Sequence, residues 1–391
     1  MIQATNDRKF HNTLKYGMVG GGPGSLIGSV HRTAISLDGK ASLVAGCFSR
    51  DYEKTLKTGK QLGLDEDRLY ENYEEMAQGE AQRDSSIDFV SITTPNVSHY
   101  EIARAFLEKG ISVVCDKPLT TQVDQAEELA DLVKDNDVLF CVTYTYSGYP
   151  MVKEAKALID RGEIGEVRVV QAEYPQEWLA TPAEKEGVKQ AEWRTDPSSS
   201  GVSNCVGDIG SHIENTVSYM TGLRIDSLSA NLDIFVEGRK LDDNAEILVK
   251  FDTGATGMYW SSQVAIGYDN ALTVRIFGTE GTIEWRQENP NYLQLYALDK
   301  PAQTLSRGRD HKAPSADRVT ELPAGHPEGY FEAFANVYSG FTSTLRDKKA
   351  GKQVEESSYD YPPVDAGLQG VKFIHSCVNS SQSNSRWVQL D

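Results

Sequence analysis

The sequence predicts an α/β chain of two domains: a doubly wound parallel sheet first, then an α+β domain on a large, mostly antiparallel open sheet. Three observations predict it. Through the first third, short and nearly continuous apolar runs alternate with helix-length amphipathic segments, the pattern of a parallel sheet covered on both faces. After about residue 150 the strand-like runs alternate apolar and polar instead, as half-exposed antiparallel strands do. At 391 residues the chain is also long for one core. The expected division is 1–147, including a polar tail over 1–13, and 148–391.

The elements follow in order. "KYGMVG" reads as the first strand and "SLVAGCFS" (42–49) as the second. "DYEKTLKTGKQLG" has helical spacing with Asp51 as N-cap. "IDFVSITT" (87–94) is a strand, and "SHYEIARAFLEKG" (98–110) a helix between a Ser98 cap and a Gly110 stop. Strand "ISVVCDKP", helix "TTQVDQAEELADLVKDN" and strand "VLFCVTY" (138–144) complete the first sheet. The helix "YPMVKEAKALIDRGEIG" leads into "EVRVVQAEY" (166–174). Later strands are "SLSANLDIFV", "NAEILVKFD", "ATGMYWSSQVA", "NALTVRIFGT", "GTIEWRQ" and "YLQLYAL", with turns at Asp252-Thr253-Gly254 and Glu280-Gly281. A long loop is expected over 301–319, then helices near 328–347 and 364–380.

A formal net charge of −18 argues against nonspecific binding to nucleic acid or to an anionic membrane. No apolar run approaches the ~20 residues of a membrane helix. "MIQATNDRKFHNTLK" has no apolar core of a secretory signal, so a cytoplasmic protein is expected. The five scattered cysteines read as buried thiols in a reducing compartment.

The first strand runs into "GGGPGSLIGSVH". A glycine-rich turn between strand and helix lets backbone approach a pyrophosphate at the helix N-terminus, the signature of a Rossmann domain. Gly20 and Gly22 fit the GxGxxG spacing, the sixth position is Ser25, and Gly28 supplies the third glycine across a longer loop. Gly24, Ser25, Leu26 and Ile27 complete the candidate cradle. An NAD site would hold an acid after the second strand; here Ser49 and Arg50 stand in "GCFSRD", a hydroxyl and a guanidinium suited to a 2′-phosphate. The expected cofactor is therefore NAD or NADP, with a lean toward NADP. Thr94, Pro95, Asn96 and His99 lie just past a parallel strand's carboxyl end, where such folds bind ligands.

"GDIGSHIENT" (207–216) sets Asp208 and His212 four apart at a helix start. Catalytic pair, metal site and capped helix are the three readings. A metal would need a third ligand, and none of the seven histidines lies in an HxH or HExxH pattern; no metal is expected.

Four stretches in order decide between the rest: the glycine loop, "SITTPNVSH" after the fourth strand, "CDKPLT" after the fifth, and "GDIGSH". Together they resemble the Gfo/Idh/MocA family, which contains glucose–fructose oxidoreductase, inositol dehydrogenases and rhizopine-catabolism proteins. Asp116-Lys117-Pro118 stands where the family has Glu-Lys-Pro, "DRGEIGEVRVV" matches the opening of its second domain, and Asp208, Gly210 and His212 match its Asp-x-Gly-x-His. The resemblance covers the chain beyond the first dozen residues. It implies an NAD(P)-dependent oxidoreductase acting on a sugar, sugar derivative or inositol. Lys117 would polarise the substrate oxygen, His212 exchange the proton, Asp208 bind a hydroxyl or orient the site, and Pro118 aim Lys117, with Asp116 beside the cofactor.

Where many relatives follow the sixth strand with a basic pair, this chain has "TYTYSGYP", which suggests a neutral substrate. Tyr146, Trp178, Trp193 and Arg194 are candidate lining for a sugar pocket, with core packing the equal alternative, and His326 is a further pocket candidate. By resemblance, the open sheet packs against another subunit as a homodimer or homotetramer. A glycoside hydrolase that retains NAD, and a dinucleotide-binding sensor without catalysis, are the alternative functions.

Overall fold

The computed structural model describes residues 13–310, 313–355, 358 and 360–390. The expected polar tail, Thr13 apart, lies outside them.

The first sheet holds β1 (Leu14–Gly20), β2 (Ala41–Cys47), β3 (Phe89–Thr93), β4 (Ser112–Cys115) and β5 (Phe140–Val142), all parallel, in the order β2-β1-β3-β4-β5. Between them run α1 (Leu26–Leu37), α2 (Tyr52–Gln61), α3 (Tyr73–Ala81), α4 (His99–Leu107) and α5 (Val123–Asp135). "SITTPNVSH" and "CDKPLT" thus follow the third and fourth strands, not the fourth and fifth, and "TYTYSGYP" the fifth, not the sixth. The missing strand is reduced to one parallel bridge, Leu69 to Gly46.

β1 neighbours β2 on one side and β3 on the other, and the two connections leave it in opposite directions. That reversal opens a crevice at the strands' carboxyl ends. One face of the sheet is packed by apolar side chains of α3, α4 and α5, among them Met76, Phe106 and Leu129. Only α1 among the early helices contributes buried side chains to the other face, so the face is completed from the far end of the chain. There Phe334, Val337, Tyr338 and Phe341 of α11 (Tyr330–Lys349) join Val30, Ala34, Phe89 and Val114.

The second sheet has nine strands. Around β6 (Val167–Pro175) they are β7 (Ile225–Asp233), β8 (Asn244–Phe251), β9 (Thr256–Ser262), β10 (Thr273–Gly278), β11 (Gly281–Arg286), β12 (Tyr292–Ala297), β13 (Gln303–Ser306) and β14 (Val388–Gln389). All pairs are antiparallel except β6 with β9. The strict alternation in β8, with Ala245, Ile247 and Val249 buried between exposed Glu246, Leu248 and Lys250, marks one covered and one open face. Helices α6 (Pro150–Asp160), α9 (Ser211–Thr221) and α12 (Val364–Gln382) cover the inner face, their Val152, Ile213 and Phe373 sharing one core with Ile247 and Ile276. Between β6 and α9 lies a strap carrying two short helices, α7 (Lys189–Arg194) and α8 (Pro197–Ser200).

The long loop expected over 301–319 instead holds β13 and a short helix α10 (Pro314–Arg318). Two cap expectations also change. The Ser98 hydroxyl donates back to Pro95 O (2.7 Å) and Thr94 Oγ1 (2.8 Å) rather than capping α4. Asp51 stands at the N-cap position of α2, but its carboxylate pairs with Lys54. All five cysteines are buried thiols, and no helix is long and apolar enough to cross a membrane.

Candidate active site

The glycine loop is shaped by close approach. A Cβ on Gly20 would lie 2.7 Å from Thr93 O, one on Gly22 2.5 Å from Phe48 O, and one on Gly28 2.2 Å from the Gly21 Cα. Loop, second strand end and first helix are therefore packed backbone to backbone, with no space for a Cβ at these three positions. The Ser25 hydroxyl is committed as N-cap, accepting from Gly28 N at 3.2 Å. The first-turn N–H groups of Leu26 and Ile27 have no intrahelical partner and, with the partial positive charge of the helix end, suit a pyrophosphate. The residues present thus fit a dinucleotide. At the ribose end, Ser49 is spent on its own turn: its hydroxyl accepts from Asp51 N and its backbone bonds the Thr55 hydroxyl. Arg50 is exposed and has no partner among the described residues.

The segment after β3 divides in two. Thr94 lines the crevice beside Gly20. His99 is fully buried, one ring nitrogen 2.8 Å from Pro118 O and the other 2.9 Å from Thr94 O. It ties the Pro95 turn to the Lys117–Pro118 turn, and its burial corrects the expectation of a cofactor contact. The Asn96 amide likewise faces away, donating to Ser200 O of the strap at 3.2 Å.

Lys117 ends the turn after β4, and its peptide bond to Pro118 is cis. Its ammonium crosses to the second domain, donating to Asp208 O at 2.5 Å and to Asp208 Oδ1 at 2.8 Å. Asp208 Oδ2 accepts from Gln263 Nε2 at 2.9 Å and Arg194 Nε at 3.2 Å. Burial, the largest single cause, pushes its carboxyl up, but the Arg194 and Lys117 charges and the Lys117 hydrogen bond together outweigh it and hold the group far below the usual carboxylate range. Asp116 accepts from the Thr143 hydroxyl at 2.9 Å, which fixes the start of the Lys117 turn.

Asp208 does not cap its helix. It sits inside a π-helical turn, Val206–Gly210, continuous with α9. The cap comes from Asp242, whose carboxylate accepts from Asn204 N and Val206 N, each at 3.0 Å, and from the Ser203 hydroxyl. That frees the Asp208 side chain for the site.

His212 is nine-tenths buried, and its Nδ1 has no hydrogen-bond partner. Tyr146 lies edge-on at 4.8 Å between ring centroids and Tyr144 at 5.6 Å. Burial first, then the Lys117 charge, pushes its pKa well below the usual value, while Asp208 pulls the other way; the ring is neutral at neutral pH. Tyr146 is itself buried, bonded hydroxyl to hydroxyl with Tyr174, so it builds the wall behind His212 rather than an open pocket surface. Tyr174 donates to Asn270 Oδ1 at 2.6 Å, as does Gln176 Nε2. On the strap, Arg194 stacks on Trp193 at 4.2 Å and lies 5.8 Å from Trp178. His326 is exposed and its side chain makes no hydrogen bond among the described residues, against its reading as a pocket residue.

The structure thus gathers Lys117, Asp208, His212 and Arg194 around one point. Sequence reasoning missed Gln263, Asn270, Tyr174 and Asp242. Each lies on a strand or at a strand end with no motif around it, so only the fold brings it in. Among the described residues no group of three or more His, Cys, Asp or Glu could hold a metal ion.

Residues 14–144 match the family described as "Oxidoreductase family, NAD-binding Rossmann fold", and residues 152–284 the GFO/IDH/MocA C-terminal domain. The oxidoreductase YfiI of Bacillus subtilis is 35% identical over the whole of both chains. Levoglucosan dehydrogenase of Pseudarthrobacter phenanthrenivorans is 27% identical, over 78% of this chain and 81% of its own. Among solved structures, an inositol dehydrogenase homolog from Azotobacter vinelandii, complexed with NADH and myo-inositol, superposes with a TM-score of 0.90 at 35% identity, over 97% of this chain and 98% of its own. With its glycine cradle, its parallel sheet and its likeness to these proteins along its full length, the chain belongs to the Gfo/Idh/MocA family of NAD-binding oxidoreductases.

Proposed function

We propose that the protein is an NAD(P)-dependent dehydrogenase acting on a ring CH–OH of a sugar, sugar derivative or inositol. The observation that carries this reading is the Lys117–Asp208 pair spanning the two domains at 2.8 Å, beside a neutral His212. A secondary alcohol losing hydride must also lose its hydroxyl proton, and a positioned base supplies that step. Lys117, on the cofactor domain, polarises the substrate oxygen. Neutral His212 takes the proton in the oxidative direction and returns it in the reverse. Asp208 orients both and accepts from a substrate hydroxyl. The nicotinamide, when bound, accepts or donates the hydride.

The relatives named for levoglucosan and inositol support the substrate class. Trp193 and Trp178, half-buried on the strap, present faces suited to a pyranose or cyclitol ring. Gly20, Gly22, Gly24, Leu26, Ile27 and Thr94 would hold the dinucleotide. The solvent-facing Arg50 favours a 2′-phosphate and hence NADP. On this reading residues up to about 147 bind the cofactor and those beyond provide the substrate side and the subunit contacts.

The test is reduced-nicotinamide absorbance with NAD+ or NADP+ and a panel of inositols, aldoses and anhydrosugars. Wild-type protein should reduce one cofactor with at least one substrate. Lys117→Ala should lower kcat by about 10²- to 10⁴-fold. A Lys117→Ala variant turning over at the wild-type rate would sink the mechanism.

A further inference from the structure

The strap between β6 and α9 reaches back to the cofactor domain. Its Ser200 carbonyl receives the Asn96 amide, and a Cβ on Gly201 would meet Thr121 at 3.1 Å. Its first helix lies higher up, over the glycine loop. There the Lys189 ammonium is 3.7 Å from where a Cβ of Gly24 would stand, and nothing else comes within 4 Å of that position.

Lys189 has no ion-pair or hydrogen-bond partner among the described residues, in a chain with 57 acids against 39 Lys and Arg. The other cation at the loop is spent: Arg32 Nη1 donates to Gly21 O at 2.9 Å. The strap does not float. Arg239 binds Glu184 and Thr181 O, Leu179, Ala183 and Ala191 form a small core, and Arg194 at the far end of α7 is tied to Asp208. Lys189, exposed and unpaired, thus carries its ammonium beside the loop whose helix end suits a phosphate.

We infer that Lys189 is a second-domain contact for the dinucleotide's pyrophosphate, closing from above the cradle that the glycine loop forms from below. The inference rests on the dehydrogenase reading, since it needs a dinucleotide on that loop. It assigns the cofactor a contact outside the residues that carry the dinucleotide motif.

Calorimetric titration tests it without turnover. The probes are NAD+ and NADP+, ADP-ribose, which keeps the pyrophosphate and lacks nicotinamide, and adenosine, which lacks both. Lys189→Ala should weaken the preferred dinucleotide and ADP-ribose by about tenfold, the loss of one charge-assisted hydrogen bond, and leave adenosine unchanged. Lys189→Arg should restore most of the affinity. Lys185→Ala removes the same charge from the same strap, away from the loop, and should have no effect. Wild-type binding with an unchanged Lys189→Ala affinity overturns this inference alone, as does an equal loss in Lys185→Ala. A wild-type protein that binds neither dinucleotide overturns the dehydrogenase reading and this one with it.

Discussion

Asp208 shows how much one side chain is asked to do. Its two oxygens accept from Lys117, Arg194 and Gln263, so three elements are keyed to one carboxylate and the local charge sums to one net positive. Two other buried groups, His31 and Glu214, keep pKa values shifted by burial, and they set opposite pH limits. Burial lowers the His31 pKa to about 4, with Asp116 opposing. The unfolded state therefore binds the extra proton first, and stability is full above pH 6.5 and lost as pH falls toward 4. Burial raises the Glu214 pKa from 4.5 to about 8. Its folded form stays protonated while the unfolded form ionises, so its contribution is full below pH 4.5 and lost as pH rises toward 8. The two opposing slopes nearly cancel between pH 4.5 and 6.5, so maximum stability is expected in that window. Glu214→Gln should flatten the alkaline limb, gaining a few kcal/mol at pH 8, since each tenfold change in acid strength is worth about 1.4 kcal/mol. Urea unfolding at pH 5 and pH 8 checks this; an equal wild-type midpoint at both would refute it.

At the scale of elements, the site depends on where helices begin. Capping by Asp242 from the turn before β8 lets the chain enter α9 through a π turn and leaves Asp208 pointing into the site. The first helix depends on Gly28 in the same way. A methyl there would stand 2.2 Å from the Gly21 Cα, and backbone cannot yield as a flexible side chain would. Gly28→Ala should cost about 1–3 kcal/mol and weaken dinucleotide binding at least tenfold by lifting α1 off the loop. Thermal unfolding with a dinucleotide titration reads both. A variant with wild-type affinity would show that the third glycine has no part in the cradle.

At the scale of the molecule, the nine-stranded sheet leaves one broad face without a covering layer. Leu248 and Met258, each 48% exposed, are direct cross-strand partners there, with Trp260 on the same face. Adjacent exposed apolar side chains of this size suit a protein contact. We expect a second copy of the chain to pack on this face, giving a dimer or tetramer. Leu248→Glu with Met258→Glu should dissociate it while leaving the fold intact. Sedimentation velocity decides: a wild-type monomer at micromolar concentration removes the proposal.

The sequence by itself determined the two-sheet architecture and the glycine loop, and it singled out Lys117, Asp208 and His212, which the fold brings together. These are written in local pattern: apolar runs of the right length, glycines where no Cβ fits, and motif residues in fixed order. It misplaced what depends on distant chain. Ser98 and Asp51 stand at cap positions and Asp208 lies inside the turn that enters α9, but whether an oxygen caps its own helix depends on which other donors and acceptors reach it. His99 looked like a ligand contact because its position after β3 was right, while its burial is set by the Pro118 turn packed over it. Only the tertiary structure could bring Gln263 and Arg194 to Asp208, 55 and 14 residues away, or carry Lys189 across the domains to Gly24. Such contacts are fixed by how the sheets and the strap pack, and no local spacing in the chain encodes them.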